Sequence, residues 1–189
     1  EVTVAARSAD GAWVRNATAE LVVEPVTEVP EPIDPEGLRG RLVRELDYDD
    51  QLDRSKGLTL GERWTGSLRG GRADAGLTEM LYELELPTRY HGETDDYVLH
   101  PALLDTLINA ANSLYDDDRL YLPLSYGSLT VHGPLPARVL AHFRKRPTSV
   151  EGRLYAFDVT VTDPAGRVVL TVENYCIKSA VDLDRGGSG

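Results

Sequence analysis

Hydrophobic and polar residues alternate in two ways along this chain, one typical of strands and one typical of a helix. Two alternating runs flank Asp10-Gly11, and further alternating runs fill the C-terminal half. An Asp-Gly pair between such runs is typical of a β-hairpin. Residues 97–114, "YVLHPALLDTLINAANSL", instead place apolar side chains around most of a helix. The pattern predicts one buried helix and about six strands, which is an α+β fold with an antiparallel sheet.

A proline-rich acidic segment divides this pattern, "EPVTEVPEPIDPEG". Proline fixes φ and removes a hydrogen-bond donor, so the segment predicts an extended surface linker. We therefore expect closing strands of an incomplete module over 1–24, the linker over 25–36, the main domain over 37–182 and a flexible tail over 183–189. The sole methionine is Met80, which favours a piece of a longer protein.

We predict a short helix that begins at Pro35, at the end of the linker, and a strand pair over 57–71 and 75–87 in the main domain. After the helix at 101–114, strands are expected over 120–133, 137–146, 152–166 and 167–180. The last two strands should meet in a hairpin turn at Asp163–Gly166.

Composition narrows the function classes. Apolar residues make up 41% and charged residues 27%, which is typical of a globular protein. The net charge of −11 argues against nucleic acid or an anionic membrane as the main partner, and no apolar run is long enough for a membrane span. One cysteine, Cys176, excludes an internal disulfide and fits the cytoplasm.

One carboxylate lies inside the apolar helical run. With Pro101 at the first helical position, Asp105, Asn109 and Asn112 form one narrow polar stripe. From the residues alone this is either a surface stripe, with Asp105 bonded to Asn109, or part of a site. His100, just before the helix, is better placed as a helix-start residue than as a base.

The context of Asp105 resembles a known family, the dehydratase domains of modular and iterative polyketide synthases. His100, Pro101 and Asp105 match the family's His-Pro-x-x-x-Asp motif. Further stretches match in order: the strand carrying Trp13, the proline linker, "GLTLGERWTGSLRG", the Leu122–Tyr126 strand and the closing hairpin. The resemblance implies a hot-dog fold, a sheet wrapped around one helix, as part of a double hot-dog.

The resemblance also implies a reaction, the removal of water from a β-hydroxyacyl thioester. Asp105 is then the catalytic acid, supported by Asn109, His100 and Pro101. An acid near neutral pH must keep its proton, which requires desolvation, and Leu103, Leu104, Leu107 and Ile108 are the candidates to enclose it. The residues that resemble the family's substrate tunnel are Leu60, Gly61, Trp64, Leu104, Leu122, Pro123 and Tyr126.

Cofactors and partners follow from the same resemblance. No metal and no cofactor of its own is expected, because the substrate is carried on the phosphopantetheine arm of an acyl carrier protein. The other expected partners are neighbouring synthase domains and the first hot-dog half, and a homodimer is a further candidate assembly.

Departures from the family's motifs keep other functions open. Leu60, Glu62 and Trp64 replace a tyrosine, a proline and a phenylalanine, and Asn109 replaces a glutamine or histidine. The family's catalytic histidine motif, His-x-x-x-Gly-x-x-x-x-Pro, is absent, so we expect the chain alone to be inactive. The alternatives are a dehydratase-like domain with altered chemistry, such as a cyclase, or a non-catalytic carrier-docking module.

Overall fold

Antiparallel pairing joins most strands of the described chain into one sheet. The computed structural model describes residues 1–23, 30–46, 60–111, 121–150 and 153–179. The strands are β1 Val2–Arg7, β2 Trp13–Ala19, β3 Arg44–Glu45, β4 Leu68–Ala73, β5 Glu79–Glu85, β6 Tyr121–Ser125, β7 Ser128–Val131, β8 Arg138–Lys145, β9 Leu154–Thr162 and β10 Val168–Ser179. The helices are α1 Pro35–Arg41 and α2 Pro101–Asn109, with a 3₁₀ segment at Thr88–Asp96. The main sheet has eight strands in the order β3-β4-β5-β8-β9-β10-β6, with β7 also paired to β10.

Helix α2 packs its apolar residues into the main core. Leu103 and Leu107 are fully buried, in one cluster with the sheet aromatics Tyr82, Phe143 and Phe157. Burying a leucine stabilises a fold by about 1.5–3 kcal/mol, so this face holds the helix to the sheet. The predicted α+β fold with one buried helix on an antiparallel sheet is confirmed.

Helix α1 begins where the proline pattern predicts and contributes to a smaller apolar cluster. Asp34 caps it by accepting a hydrogen bond from the Glu36 N–H at 3.1 Å. Leu38 is buried in a cluster whose other buried members are Leu42, Leu81 and Leu140. Because side chains alternate along β5, Leu81 joins this cluster while its neighbours Met80 and Tyr82 join the main core.

Three predicted elements differ from the observed ones. Residues 62–66 of the predicted strand over 57–71 form turns, and the strand begins only at Leu68; 57–59 lie outside the described residues. The run predicted over 120–133 is two strands, because the chain turns at Tyr126 and Gly127. Helix α2 ends at Asn109, and residues 112–114 lie outside the described residues.

The N-terminal hairpin forms a separate two-stranded sheet. Strands β1 and β2 pair antiparallel around the predicted Asp10-Gly11 turn, where Gly11 has a φ of 88°. Every residue of both strands is exposed, including Trp13 at 73%. The assignment of 1–24 to an incomplete module stays a prediction.

No helix in the described ranges is long and apolar enough to cross a membrane.

Candidate functional site

Asp105 lies on the exposed side of α2 and is held by two side chains. The Trp64 indole Nε1–H donates to its Oδ2 at 2.8 Å. The Asn109 side-chain amide donates to its Oδ1 at 2.9 Å and to its backbone carbonyl, also at 2.9 Å. The bond to Asn109 is the one that their spacing predicts. One donor on each oxygen fixes the plane of the carboxylate.

Trp64 reaches Asp105 from the turn that precedes β4. The backbone N–H of Trp64 donates to the Gly61 carbonyl at 3.0 Å, and the Ser67 hydroxyl donates to the Arg63 carbonyl at 3.2 Å. Gly66 has a φ of 75°, a left-handed conformation that favours glycine, and it lets the chain enter the strand. These local bonds form the turn from which the indole points to α2.

His100 is buried at the start of α2, with 1% exposure. Its Nδ1 accepts a long hydrogen bond from the Leu103 N–H at 3.4 Å, and its Nε2 lies 3.2 Å from Glu93 Oε2. Because Nδ1 accepts, Nε2 carries the hydrogen and donates to the carboxylate. His100 is thus a helix-capping residue, and both its nitrogens are engaged in these bonds.

Glu93 connects His100 to the Trp64 turn. The Arg63 guanidinium donates to both Glu93 oxygens, at 2.8 and 2.7 Å. Hydrogen bonds from Arg63, and secondarily from His100, lower the pKa of Glu93 to about 2. Glu93 is therefore a carboxylate throughout the neutral range.

Tyr175 is a site neighbour that sequence reasoning missed. Its ring stacks on that of Tyr126, with centroids 5.1 Å apart, and its buried hydroxyl has no hydrogen-bond partner among the residues that the structure describes. Burial, and then the charges of Tyr126 and Asp105, raise the pKa of Tyr175. Burial and then Asp105 likewise raise the pKa of Tyr126. The two phenols therefore lie within electrostatic reach of the carboxylate.

A β-bulge in β10 accompanies this stacked pair. The register of β10 against β9 shifts between Val172 and Tyr175, and Asn174 has a φ of 50°. The Gly127 N–H donates to the Glu173 carbonyl at 3.0 Å, and a Cβ at Gly127 would lie 2.9 Å from that oxygen. Bulges redirect side chains. The alternating sequence of β10 gives no sign of this one, which is why Tyr175 was missed.

The predicted tunnel residues separate into two groups. Trp64 contacts Asp105, with Gly61 beside its ring, and Tyr126 lies within reach of the charge. The remaining predicted residues are partly or fully exposed, and no described hydrogen bond joins them to the carboxylate: Leu60, Leu104, Leu122 and Pro123.

One expectation about the surroundings of Asp105 is wrong. Leu103, Leu107 and Ile108 do not enclose the carboxylate, because their side chains are buried in the main core whereas Asp105 is exposed. Leu104 is half-buried. Leu103 and Leu107, two positions from Asp105, project from the opposite side of the helix, and the Ile108 side chain, although closer to Asp105 around the helix, packs into the core. Asp105 therefore stays exposed in this chain.

The other histidines are engaged elsewhere. His91 Nε2 lies 2.6 Å from the Leu86 carbonyl, and His132 Nε2 lies 3.0 Å from the Thr171 hydroxyl. His142 is bonded to Glu79. Within the described ranges no histidine is hydrogen-bonded to Asp105, and no group of three potential metal ligands is found there.

Comparison with known proteins identifies the family to which this chain belongs. The family described as polyketide synthase dehydratase N-terminal domain matches residues 18–185. The chain belongs to this dehydratase family, as the His-Pro-x-x-x-Asp motif predicts.

Among relatives, polyketide synthase GfsB of Streptomyces halstedii is 32% identical over 176 residues, which is 88% of this chain. Polyketide synthase PksN of Bacillus subtilis (strain 168) is 27% identical over 101 residues, or 52% of this chain. The matched regions are only 3% and 2% of those proteins.

Solved structures share the fold. The dehydratase domain from the CurF module of curacin polyketide synthase has a TM-score of 0.78 at 21% identity, over 94% of this chain and 63% of that one. A trans-AT polyketide synthase dehydratase domain from Brevibacillus brevis has a TM-score of 0.78 at 15% identity, with the same coverage. The predicted hot-dog fold is confirmed, and the chain spans about three fifths of these domains.

Proposed function

We propose that this chain is the Asp105-bearing half of a dehydratase domain that converts a carrier-bound β-hydroxyacyl thioester into an α,β-enoyl thioester. The observation that carries the proposal is the carboxylate of Asp105, fixed by Trp64 and Asn109 at the open side of α2. A base removes the α-proton, the C–H electron pair forms the Cα=Cβ bond, and the β-C–O bond breaks. Asp105 donates its proton to the departing hydroxyl, which leaves as water.

The proposed reaction needs a second half of the domain. A general acid must carry a proton, and burial of a carboxyl group favours its protonated form. Asp105 is exposed in this chain, so a covering half of the domain would have to supply that burial. The second half of the domain could pack on the β6–β7 edge, where large apolar side chains are exposed: Leu122, Leu124, Tyr126 and Leu129. We expect the 189-residue chain alone to be inactive.

We assign residues 37–182 to the second hot-dog, 1–24 to closing strands of the first and 25–36 to the linker between them. The description of the matching family names an N-terminal domain. The assignment to the second half is supported by the His-Pro-x-x-x-Asp motif at α2 and by the separate, exposed β1–β2 sheet.

The partners we propose are those of a synthase module: an acyl carrier protein whose phosphopantetheine arm presents the substrate, the first hot-dog half and neighbouring synthase domains. We propose a cytoplasmic location and no cofactor of the domain's own. A homodimer of the synthase is part of the same proposal.

Altered chemistry is the second candidate function. It is favoured by the exposure of Asp105 and by the substitutions at Leu60, Glu62 and Asn109. An oxa-cyclase would use the same carboxylate to hold a hydroxyl that adds to the enoyl product. A non-catalytic carrier-docking module would need no ordered carboxylate.

The test is single-turnover dehydration of a carrier-bound β-hydroxyacyl chain by the full parent synthase module. Asp105→Asn keeps the shape but donates no carboxyl proton, so the chemical step should slow by about 10²–10⁴-fold. Substrate binding should change less, since an amide still hydrogen-bonds a hydroxyl. Asn109→Ala should slow it less, because Asn109 only orients Asp105. A folded Asp105→Asn module that dehydrates at the parental rate would overturn the proposal.

A further inference from the structure

A closed path of contacts joins the Trp64 turn to the start of α2. Trp64 donates to Asp105, which belongs to the helix that His100 caps. His100 donates to Glu93, and Arg63 donates to both Glu93 oxygens. Arg63 is covalently joined to Trp64, so the path returns to its origin. A closed path restrains both ends of the Trp64–Asp105 bond at once.

The strongest bonds in this path are charge-assisted. The bidentate Arg63–Glu93 pair fixes a planar geometry that a single bond does not, and it holds at 2.8 and 2.7 Å. His100 is 1% exposed, so its bond to Glu93 is shielded from water on one side. The chain also supplies a contrast: Glu62, on the same turn, pairs with Arg89 of the 3₁₀ segment, and this pair is exposed on both sides and reaches no part of α2 in the contacts described.

We infer that Arg63, Glu93 and His100, here called the α2 cluster, are positioning residues that fix the Trp64 indole on the Asp105 carboxylate. None of the three donates to or accepts from the carboxylate itself in the described contacts. They act by holding the turn and the helix start in one relative position. The effect on turnover rests on the proposed function, whereas the orientation of Trp64 is a property of this chain alone.

The experiment follows the Trp64 indole N–H by NMR in the ¹⁵N-labelled 189-residue chain. The chain has two tryptophans, so Trp13→Phe assigns the two indole signals. Glu93→Gln keeps the size of the side chain but removes its charge and one acceptor for Arg63. We expect the Trp64 signal to shift in the direction caused by Asp105→Asn, with solvent exchange of the indole proton faster by about tenfold. The exposed Trp13 signal should stay in place.

A matched control lies in a second His–Glu–Arg arrangement. His142 bonds to Glu79, to which Arg41 of α1 also donates, and we call these three the α1 cluster. Glu79→Gln makes the same chemical change as Glu93→Gln but should leave the Trp64 signal unmoved. Should Glu93→Gln fail to fold in a thermal melt, Arg63→Lys keeps the charge, loses the bidentate geometry and should give a smaller shift of the same sign.

The outcomes separate the two proposals. An unmoved Trp64 signal in folded Glu93→Gln and Arg63→Lys chains would overturn the inference, as would an equal shift in Glu79→Gln. In the parent module, Glu93→Gln should lower kcat by about tenfold with little change in KM, since misplacement of a catalytic group by about 1 Å can cost 10²-fold. If Glu93→Gln moves the signal while Asp105→Asn retains full turnover, the positioning role stands and the proposed function fails.

Discussion

The α2 cluster and the α1 cluster contain the same three residue types but join different elements. In the α2 cluster the histidine caps a helix, and the arginine belongs to the turn that carries Trp64. In the α1 cluster the histidine projects from β8, and Arg41 belongs to the last turn of α1. Both glutamates are half-buried, at 30% for Glu93 and 24% for Glu79.

The difference shows that the neighbours of an ion-pair cluster decide what the cluster does. The α2 cluster reaches a helix whose exposed side carries a carboxylate with two ordered donors. The α1 cluster reaches a short helix that covers Leu81 and Leu140. We therefore expect damage to the α2 cluster to change the candidate site, and damage to the α1 cluster to change mainly how α1 is held on the sheet.

Truncation of the two histidines should give the largest contrast in stability. His100→Ala removes the helix cap, whose loss costs about 0.5–2 kcal/mol, and also leaves a buried gap. We expect a total loss of about 2 kcal/mol in the free energy of unfolding. His142→Ala also truncates a buried side chain, but it removes one hydrogen bond to Glu79 rather than a helix cap and should cost less, about 1 kcal/mol. Urea unfolding of both variants measures the two losses in the free energy of unfolding. An equal loss in the two variants, or a larger loss in His142→Ala, would contradict the distinction between the clusters.

Acid should weaken the α1 cluster first. Burial lowers the pKa of His142, with Arg144 and Arg41 acting in the same direction and Glu79 opposing them. Because the folded value lies below the ordinary 6.5, the unfolded chain takes up the proton first, and stability falls as the pH drops below 6.5. Because one proton is involved, the free energy of unfolding cannot change by more than about 1.4 kcal/mol per pH unit.

The α2 cluster loses its contribution to stability over a different pH range. Since the pKa of Glu93 is lowered from 4.5 to about 2, its contribution is complete above 4.5 and is lost as the pH falls towards 2. The free energy of unfolding, measured in urea across this range, should fall as the pH drops below 6.5. We expect His142→Gln to remove this fall and Glu93→Gln to keep it. If the fall below pH 6.5 persists in His142→Gln, another group causes it.

The sequence predicted the elements whose hydrophobic period is strong. Helix α2, the alternating β5 and the hairpin turn at Asp163–Gly166 all follow from local patterns. The bond between Asp105 and Asn109 was also predictable, because residues four apart on a helix are neighbours. Local rules therefore account for the helix and for one of the two side-chain donors that hold the Asp105 carboxylate.

The contacts that complete the site were not predictable, because they join residues far apart in sequence. Glu93 lies in a polar 3₁₀ segment with no apolar pattern, and only the folded chain brings it to Arg63, 30 residues away. The sequence predicts an ordinary strand residue at Tyr175, because the alternation of apolar and polar residues in β10 does not indicate the bulge at Asn174. Trp64 was singled out only through the resemblance of its stretch to a family motif, in which it replaces a phenylalanine.

The smallest effect is expected from an ion pair that borders the α2 cluster without joining it. Glu62 accepts from Arg89 at 2.9 Å and from the Tyr90 hydroxyl at 3.0 Å, but it is 76% exposed and Arg89 is 60% exposed. Water and salt screen such a pair, so Glu62→Gln should change the free energy of unfolding by less than about 0.5 kcal/mol. The Trp64 indole signal should keep its position, although Glu62 is closer in sequence to Trp64 than Glu93 is. A shift of that signal as large as the one in Glu93→Gln would mean that any charge change near the turn moves Trp64, and the distinction between the two clusters would then fail.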